Sequence, residues 1–330
     1  MQIRAIFCLT LTRHQVCVEN ISPVRTLKSK PVVFFHGGGC SGTTWLNPPD
    51  NRKGFANYFV KQGYVIYIVD AAGNGRSTNM DLEGFPLTAG SSSTLVEMGF
   101  SAPEVYNGYP QSPLHTQFPG TGRTGDRLSK ISRTRWCPTQ PTTPSTRMLL
   151  QLIFKSYIIG HSAGGSAGIL LSNDCPDLVA ANINLESSTT PFFWYTHGTA
   201  GFFNNAWGLA KTPLNYAPPI LDASELKIIG NSTVAKRSCY RQAERAHKLS
   251  NVASVPCLLV TGEASVHITH EHCLVDYLNQ VGAKPEWIRL ADRDIKSNDH
   301  FMHIDNNNEE IAKLVLDWIL KKGLFNLVKG

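Results

Sequence analysis

The sequence lacks the features of several large protein classes. Its apolar runs are far shorter than the roughly 20 residues that a helix needs to cross a bilayer, so we expect no membrane span. Lysine and arginine do not interleave repeatedly with aromatic residues, which argues against a nucleic-acid partner. Only 17% of the 330 residues are charged, and the net charge is +6. A hydrophobic share of 42% is sufficient for a large core, so the composition indicates a globular protein.

Metal-binding motifs are missing as well. The eight cysteines include no C-x-x-C pair, so their spacing predicts neither a zinc site nor a disulfide framework, although an even count permits bridges. Three histidines cluster in HITHEH (267–272), but without the H-E-x-x-H spacing of a zinc-binding helix. We interpret this cluster as a solvated helix start, and we expect neither a metal nor an organic cofactor.

The first residues do not resemble a signal peptide. MQIRAIFCLTLT has one arginine and a short apolar run, with no convincing cleavage site after it. This stretch predicts a first strand. The sequence as written predicts a cytoplasmic protein, and a secreted one if the true start lies upstream.

Short apolar runs alternate with helical or glycine-rich stretches along most of the chain. Such alternation predicts an α/β fold with a mostly parallel sheet covered on both faces. Ligands bind such sheets at the carboxyl ends of the strands. The predicted core strands lie within residues 31–39, 63–77, 156–165, 180–188, 255–265 and 285–292, and a helix at 307–323 closes the chain.

Two segments interrupt this alternation. Residues 189–250, between the strand ending at Glu186 and the strand starting near Val255, are rich in aromatics and predict a cap or lid. A helical excursion with its own small core is the alternative. Residues 127–150 are basic and rich in Ser, Thr and Pro, which predicts an irregular, poorly ordered loop. The core of the predicted α/β fold then comprises the two remaining parts, within 1–188 and 251–330.

A serine framed by small residues follows one of the predicted strands. GHSAG (160–164) fits G-x-S-x-G between a strand and a helix-compatible run. So tight a reversal strains the backbone of Ser162, and small neighbours relieve the crowding. We interpret Ser162 as a nucleophile, with an ordinary glycine-rich turn as the alternative.

A nucleophilic serine needs a base, and the base needs an orienting acid. His300 lies in a polar loop before the last helix, where the chain order of an α/β-hydrolase places its histidine. His303 is the alternative, and a surface histidine is the ordinary interpretation of either. Glu186 and Glu263 both close predicted strands, and sequence spacing alone does not choose between them.

The glycine-rich HGGG (36–39) follows the first core strand. Glycines there allow backbone N–H groups to approach a substrate carbonyl and stabilise its developing negative charge. We predict that Gly38 and Ala163 supply the two donors of an oxyanion hole, with Gly39 as the other candidate. A phosphate-binding motif, G-x-x-x-x-G-K-[ST], is not present in the sequence.

With these motifs the sequence resembles the α/β-hydrolases, and more closely a group of bacterial and fungal serine esterases whose triad acid is glutamate. The resemblance favours Glu186 over Glu263 as the acid and implies Ser162 as nucleophile and His300 as base. It is missing over about 127–150. The similar stretches are HGGGCSGTTWLNPPDNRKGFANYFVKQGYVIYIVDAAGNGRS, HTQFPGTG, YIIGHSAGG, NLESS, LLVTGEAS and IKSNDHFMHIDNNNEEIAKLVLDWI.

The resemblance and the motifs together predict a serine carboxylic-ester hydrolase that forms an acyl-enzyme. We expect a hydrophobic small-molecule ester or lactone as substrate, with Phe193, Trp194 and Trp207 of the cap as candidate contacts. An acyltransferase or lactonase of secondary metabolism is one alternative, and a catalytically impaired binding protein is the other. A homodimer is compatible with the sequence, which does not decide the oligomeric state.

Overall fold

Eight strands form one sheet in the order β1-β2-β4-β3-β5-β6-β11-β12, and two hairpins lie outside it. The computed structural model describes residues 2–11, 14–77, 92–119, 143–195, 201–231 and 238–323. The sheet strands are β1 (Gln2–Leu11), β2 (His14–Pro23), β3 (Val32–Phe35), β4 (Ile66–Asp70), β5 (Ser156–His161), β6 (Val179–Leu185), β11 (Cys257–Thr261) and β12 (Glu286–Arg289). The hairpin strands are β7 (Phe193–Tyr195), β8 (Gly201–Phe203), β9 (Ile228–Asn231) and β10 (Cys239–Gln242).

Only β2 runs against the other strands of the sheet. It pairs antiparallel with β1 on one side and with β4 on the other, and the remaining pairs are parallel. The six predicted core strands and the predicted first strand are all present. The sheet therefore confirms the predicted α/β class.

The helices cover both faces of the sheet. No helix within the described ranges is long and apolar enough to cross a membrane. The helices are α1 (Phe55–Lys61), α2 (Ser93–Val96), α3 (Pro103–Tyr106), α4 (Thr143–Ile153), α5 (Ala163–Asp174), α6 (Ser250–Ser254), α7 (Glu271–Gln280) and α8 (Asn308–Lys321).

The central strand β3 shows how the core is divided. Successive side chains of a strand point to opposite faces, and all four of β3 are buried. Phe34 packs with α1 and α8 on one face, where Trp318 is also buried. Val33 and Phe35 pack on the other face with Leu149 of α4. Each fully buried side chain of this size contributes about 1.5–3 kcal/mol to folding.

Helix α4 corrects the predicted irregular loop at 127–150. Residues 120–142 lie outside the described ranges, but α4 begins at Thr143, so the loop prediction was wrong for 143–150. Leu149 and Leu150 are fully buried against the sheet, and this burial outweighs the Ser/Thr/Pro-rich composition. A proline at position 144 is tolerated because the first helical turn has no N–H bond for it to remove.

The segment at 189–250 is built from the two hairpins and one short 3₁₀ turn, Ala223–Leu226, among its described residues. The described part of this segment therefore does not form the helical excursion that was the alternative. Phe192 and Tyr216 join one buried apolar cluster with Tyr277 of α7. The segment thus packs on α7, and its role as a cap stays a prediction.

Candidate active site

Ser162 occupies a sharp turn between β5 and α5. Its backbone angles, φ 52° and ψ −117°, lie in the strained left-handed half of the map. A Cβ on Gly160 would lie 2.3 Å from the carbonyl oxygen of Gly164, and one on Gly164 would lie 2.2 Å from that of Phe35. Small residues on both sides are therefore required for this turn to form.

His300 and Glu186 lie side by side near the carboxyl ends of the parallel strands. The distance from His300 Nδ1 to Glu186 Oε2 is 2.8 Å, and both side chains are buried. Because a carboxylate can only accept, Nδ1 carries the proton and donates it. This leaves His300 Nε2 as the ring nitrogen that can accept a proton. Glu186 directly follows β6 and itself has a positive φ of 52°.

Two further groups hold the Glu186 carboxylate. The Gly262 N–H donates to Oε1 at 2.7 Å, and the Ser265 hydroxyl donates to Oε2 at 2.6 Å. Burial raises the pKa of Glu186, while His267 and these two hydrogen bonds oppose the rise. Ser265 was not singled out from the sequence, because a serine two residues after Glu263 carries no recognisable signal.

Glu263, the other candidate acid, binds a backbone N–H group instead of a histidine. Its Oε2 accepts the backbone N–H of Ser297 at 2.9 Å, where Ser297 has a φ of 65°. Glu263 therefore fastens the loop that leads to His300. Among the described contacts, the carboxylate on the His300 ring is that of Glu186.

Two other histidines, His161 and His303, are buried near His300. The His161 Nε2–H donates to the backbone oxygen of His300 at 2.9 Å, which fixes the loop over the serine turn. Burial holds the pKa of His161 well below its usual range, so its ring is neutral. His303 is fully buried between two other rings. Its ring centroid lies 4.5 Å from that of Trp45 and 4.2 Å from that of His161. It is not the surface histidine that the sequence suggested.

The HITHEH cluster also lies against this site. The His267 ring stacks on that of His300, with centroids 4.8 Å apart and planes 12° apart. His267 Nδ1 is 3.1 Å from Glu271 Oε2, and burial raises the pKa of Glu271. His267 and His270 are buried, so the interpretation as a solvated helix start was wrong. The stretch folds inward because these rings stack on one another and on His300.

The side chains around His300 include nitrogen and oxygen atoms of the kinds that bind transition metals. One ligand atom each from Glu186, His267 and His300 lie within 4.8 Å of one another. A second such group consists of Cys239, His272 and Cys273, but these two cysteines form a disulfide. In the first group the His300 Nδ1–H is already donated to the carboxylate.

The glycine loop after β3 is held from two directions. His36 accepts the Ala71 N–H at Nε2, 3.0 Å away, and donates from Nδ1 to the carbonyl of Gly37 at 2.7 Å. Burial lowers the pKa of His36, which suits this neutral ring. Gly38 lies on the surface of the turn, and Gly39 adopts a φ of 70°.

A buried charge network anchors the far end of this loop. Asp70 Oδ1 accepts the Gly42 N–H at 2.6 Å, and its Oδ2 accepts from Arg76 at 2.7 Å. These hydrogen bonds and the Arg76 guanidinium lower the pKa of Asp70 in spite of its burial. The loop that carries Gly38 and Gly39 is thus fixed at both ends, and Ala163 begins α5 beside it.

The aromatic side chain beside His300 was missed in the sequence. Phe100, from the π-helical turn Glu97–Ser101, lies with its ring 4.8 Å from that of His300 and 5.5 Å from that of Phe301. No motif marks it, because the sequence around 97–101 has neither a strand nor a helix signal. Phe100 and Phe301 give the site an apolar wall.

The predicted substrate contacts of the cap lie in other surroundings. Phe193 stacks on Tyr240 at 5.0 Å, and Trp207 packs on the cluster beneath α7. Trp194 is half-buried in β7, opposite Phe202. The described contacts of these three residues do not bring them to Ser162 or His300, and their role in binding stays a prediction.

Comparison with known proteins identifies the family. No protein-family model matches the chain. The chain is 33% identical over 321 residues to the "Probable secreted lipase phiG" of Fungal sp. (strain ATCC 74256), covering 93% of this chain and 86% of that protein. The chain is an α/β-hydrolase of the same family. A solved "Novel Bacterial Esterase" aligns over 97% of this chain and 95% of its own, with a TM-score of 0.63 and 19% identity, which confirms the fold of this hydrolase. The chain belongs to the class of enzymes that hydrolyse carboxylic esters.

Proposed function

We propose that this α/β-hydrolase is a serine esterase that works through an acyl-enzyme. The observation that carries the proposal is the strained turn at Ser162 beside a buried imidazole–carboxylate pair, His300 and Glu186. The nucleophile and the acid follow neighbouring parallel strands, β5 and β6, so the sheet itself sets the distance between them. This is the arrangement of base, acid and nucleophile that acyl transfer requires.

The reaction follows from these roles. The Ser162 hydroxyl attacks the ester carbonyl while His300 Nε2 takes its proton, and Glu186 stabilises the imidazolium that results. The N–H groups of Gly38, or of Gly39, and of Ala163 would hold the oxyanion. His300 then protonates the departing alcohol, and a water molecule releases the acyl group by the same steps in reverse.

The substrate we propose is a hydrophobic small-molecule ester or lactone. The apolar wall formed by Phe100 and Phe301 beside His300 supports an apolar group near the reacting carbonyl. The name of the relative, a probable secreted lipase, supports both an apolar ester and secretion. The Cys239–Cys273 disulfide supports the secreted alternative too, because such bridges persist in oxidising compartments.

A fluorophosphonate probe tests this proposal directly, because it labels only serines that a base has activated. We expect one label, on the peptide that carries Ser162, and none in Ser162→Ala. Ser166→Ala is the matched control: this nearby hydroxyl bonds Ser188 and Thr189 instead, and labelling should persist. Labelling of Ser162→Ala to the native extent would reject the proposal.

Ser265→Ala should lower kcat about 10-fold with little change in KM. The variant removes a charge-assisted hydrogen bond to Glu186, of the kind that contributes about 1.5–3 kcal/mol, while Ser265 contacts the acid and not the ester. Steady-state kinetics on p-nitrophenyl acetate provide the measurement. Ser265→Thr keeps the hydroxyl and should restore most of kcat. Equal rates for the native enzyme and the alanine variant would show that this bond is unimportant.

A further inference from the structure

We propose that Cys8 and Cys17 form a second disulfide, which fastens the edge strand β1 to the sheet. The two residues are direct partners in the antiparallel register of β1 and β2. Directly opposed residues of such a pair project their side chains from the same face of the sheet. Both are thiols in this structure, with Cys8 exposed and Cys17 buried.

The pairing is of the kind that suits a bridge. In an antiparallel ladder, opposed residues alternate between pairs that exchange hydrogen bonds and pairs whose N–H groups point away from each other. The Cys17 N–H points away from β1, since it donates to the Ser77 hydroxyl at 2.8 Å. Cys8 and Cys17 are therefore a non-hydrogen-bonded pair, and the Cα atoms of such pairs are typically about 4.5 Å apart. This separation lies within the range of about 4.4–6.8 Å found for disulfides.

The two thiols also interact. Burial and a hydrogen bond with Cys8 together raise the pKa of Cys17 to about 11. The exposed Cys8 is then the thiol that meets an oxidant first, and the buried Cys17 resolves the mixed disulfide from below.

The oxidation balances with an ordinary partner. A low-molecular-weight disulfide such as oxidised glutathione accepts the two electrons and two protons that the thiols lose, and is cleaved to two thiols while the Cys8–Cys17 bond forms. The Cys239–Cys273 bridge indicates that the protein folds where such oxidants are present.

The bridge would act at one edge of the sheet. β1 is the outermost strand and hydrogen-bonds only to β2 among the strands of the sheet described here. An ion pair across this boundary joins a half-exposed Arg4 to the buried Glu19. Glu19 in turn holds Arg76 at 2.5 Å. A covalent link therefore fixes β1 over a buried charge network that a freed edge strand would expose.

Thiol counting in denatured, unreduced protein from an oxidising host provides the test. Eight cysteines, less two in each of two bridges, leave four thiols in the native chain. Removing either partner then frees the other, so Cys8→Ser and Cys17→Ser should each contain five thiols. Cys175→Ser, a free buried cysteine, is the control and should contain three.

Peptide mapping without reduction should find the Cys8 peptide joined to the Cys17 peptide. Six thiols in the native chain, falling to five in Cys8→Ser, would overturn the proposal, as would a bridge from Cys8 to any cysteine other than Cys17. Without reductant we also expect Cys8→Ser to melt about 5 °C below the native protein, a difference that vanishes when both are reduced. If the native protein and Cys8→Ser melt at the same temperature without reductant, the bridge does not stabilise the fold.

Discussion

Ser162→Ala should lower kcat for p-nitrophenyl acetate by about 10⁵- to 10⁶-fold, because the other groups of the site then have no nucleophile to activate. In the proposed mechanism the strained turn, the oxyanion donors and the His300–Glu186 pair all act on the Ser162 hydroxyl. Their effects are not additive, so removing that hydroxyl costs nearly as much as removing all three side chains. The remaining rate measures what binding and the oxyanion donors achieve with water.

The variant should fold normally, which keeps the result interpretable. Alanine at φ 52° bears much the same backbone strain as the serine it replaces, and Ser162 contributes no side-chain cap to α5. Circular dichroism and melting temperature should therefore match the native protein. Ser166→Ala, with full turnover, completes the comparison. Turnover of Ser162→Ala within 10-fold of the native rate would mean that another residue is the nucleophile.

The serine turn could be predicted from local sequence because its causes are local. A glycine two positions either side of Ser162 is required by contacts within the turn and with β3. Chain order likewise predicted a histidine in the loop before α8, where the structure places His300. The fold followed from apolar runs whose lengths and spacing are typical of parallel strands.

Local sequence could not predict which of the two glutamates contacts the His300 ring. Glu186 and Glu263 follow β6 and β11, which are neighbours in the sheet, so both carboxylates end at the same edge. The loop after β11 makes the difference. Glu263 in this loop accepts the Ser297 N–H, whereas the Gly262 N–H and the Ser265 hydroxyl of the same loop donate to Glu186. No spacing in the sequence reveals such an exchange of partners.

Buried histidines and a short helix were missed for a related reason. Polar residues normally indicate surface, yet His267 and His303 are buried by stacking on other rings. Helix α4 was hidden by its Thr/Pro/Ser start, although its last turns are apolar and pack on the sheet. Only tertiary contacts override composition in this way.

Glu186→Gln should lower kcat about 10⁴-fold, because it would reverse the tautomer of His300. Three donors converge on the native carboxylate: the Gly262 N–H on Oε1, and the Ser265 hydroxyl and His300 Nδ1–H on Oε2. A glutamine has one accepting atom and one NH₂ group. Its oxygen must face the backbone Gly262 N–H, which cannot turn away, so the NH₂ group faces Ser265 and His300.

Ser265 and His300 can both become acceptors for the glutamine NH₂ group, but His300 then loses its function as a base. The Ser265 hydroxyl can rotate to accept, but His300 can accept at Nδ1 only if its proton moves to Nε2. A protonated Nε2 cannot take the proton of Ser162. We therefore expect a large loss in kcat, little change in KM and an unchanged fold, measured by the same ester assay.

Glu263→Gln is the matched control. Its side-chain oxygen can still accept the Ser297 N–H, so the loop that leads to His300 keeps its support and kcat should stay within about 2-fold of the native value. The two glutamates are neighbours at one edge of the sheet, and the two changes are chemically identical. A loss confined to Glu186→Gln therefore reports on the imidazole it faces, whereas equal losses would assign the role to neither.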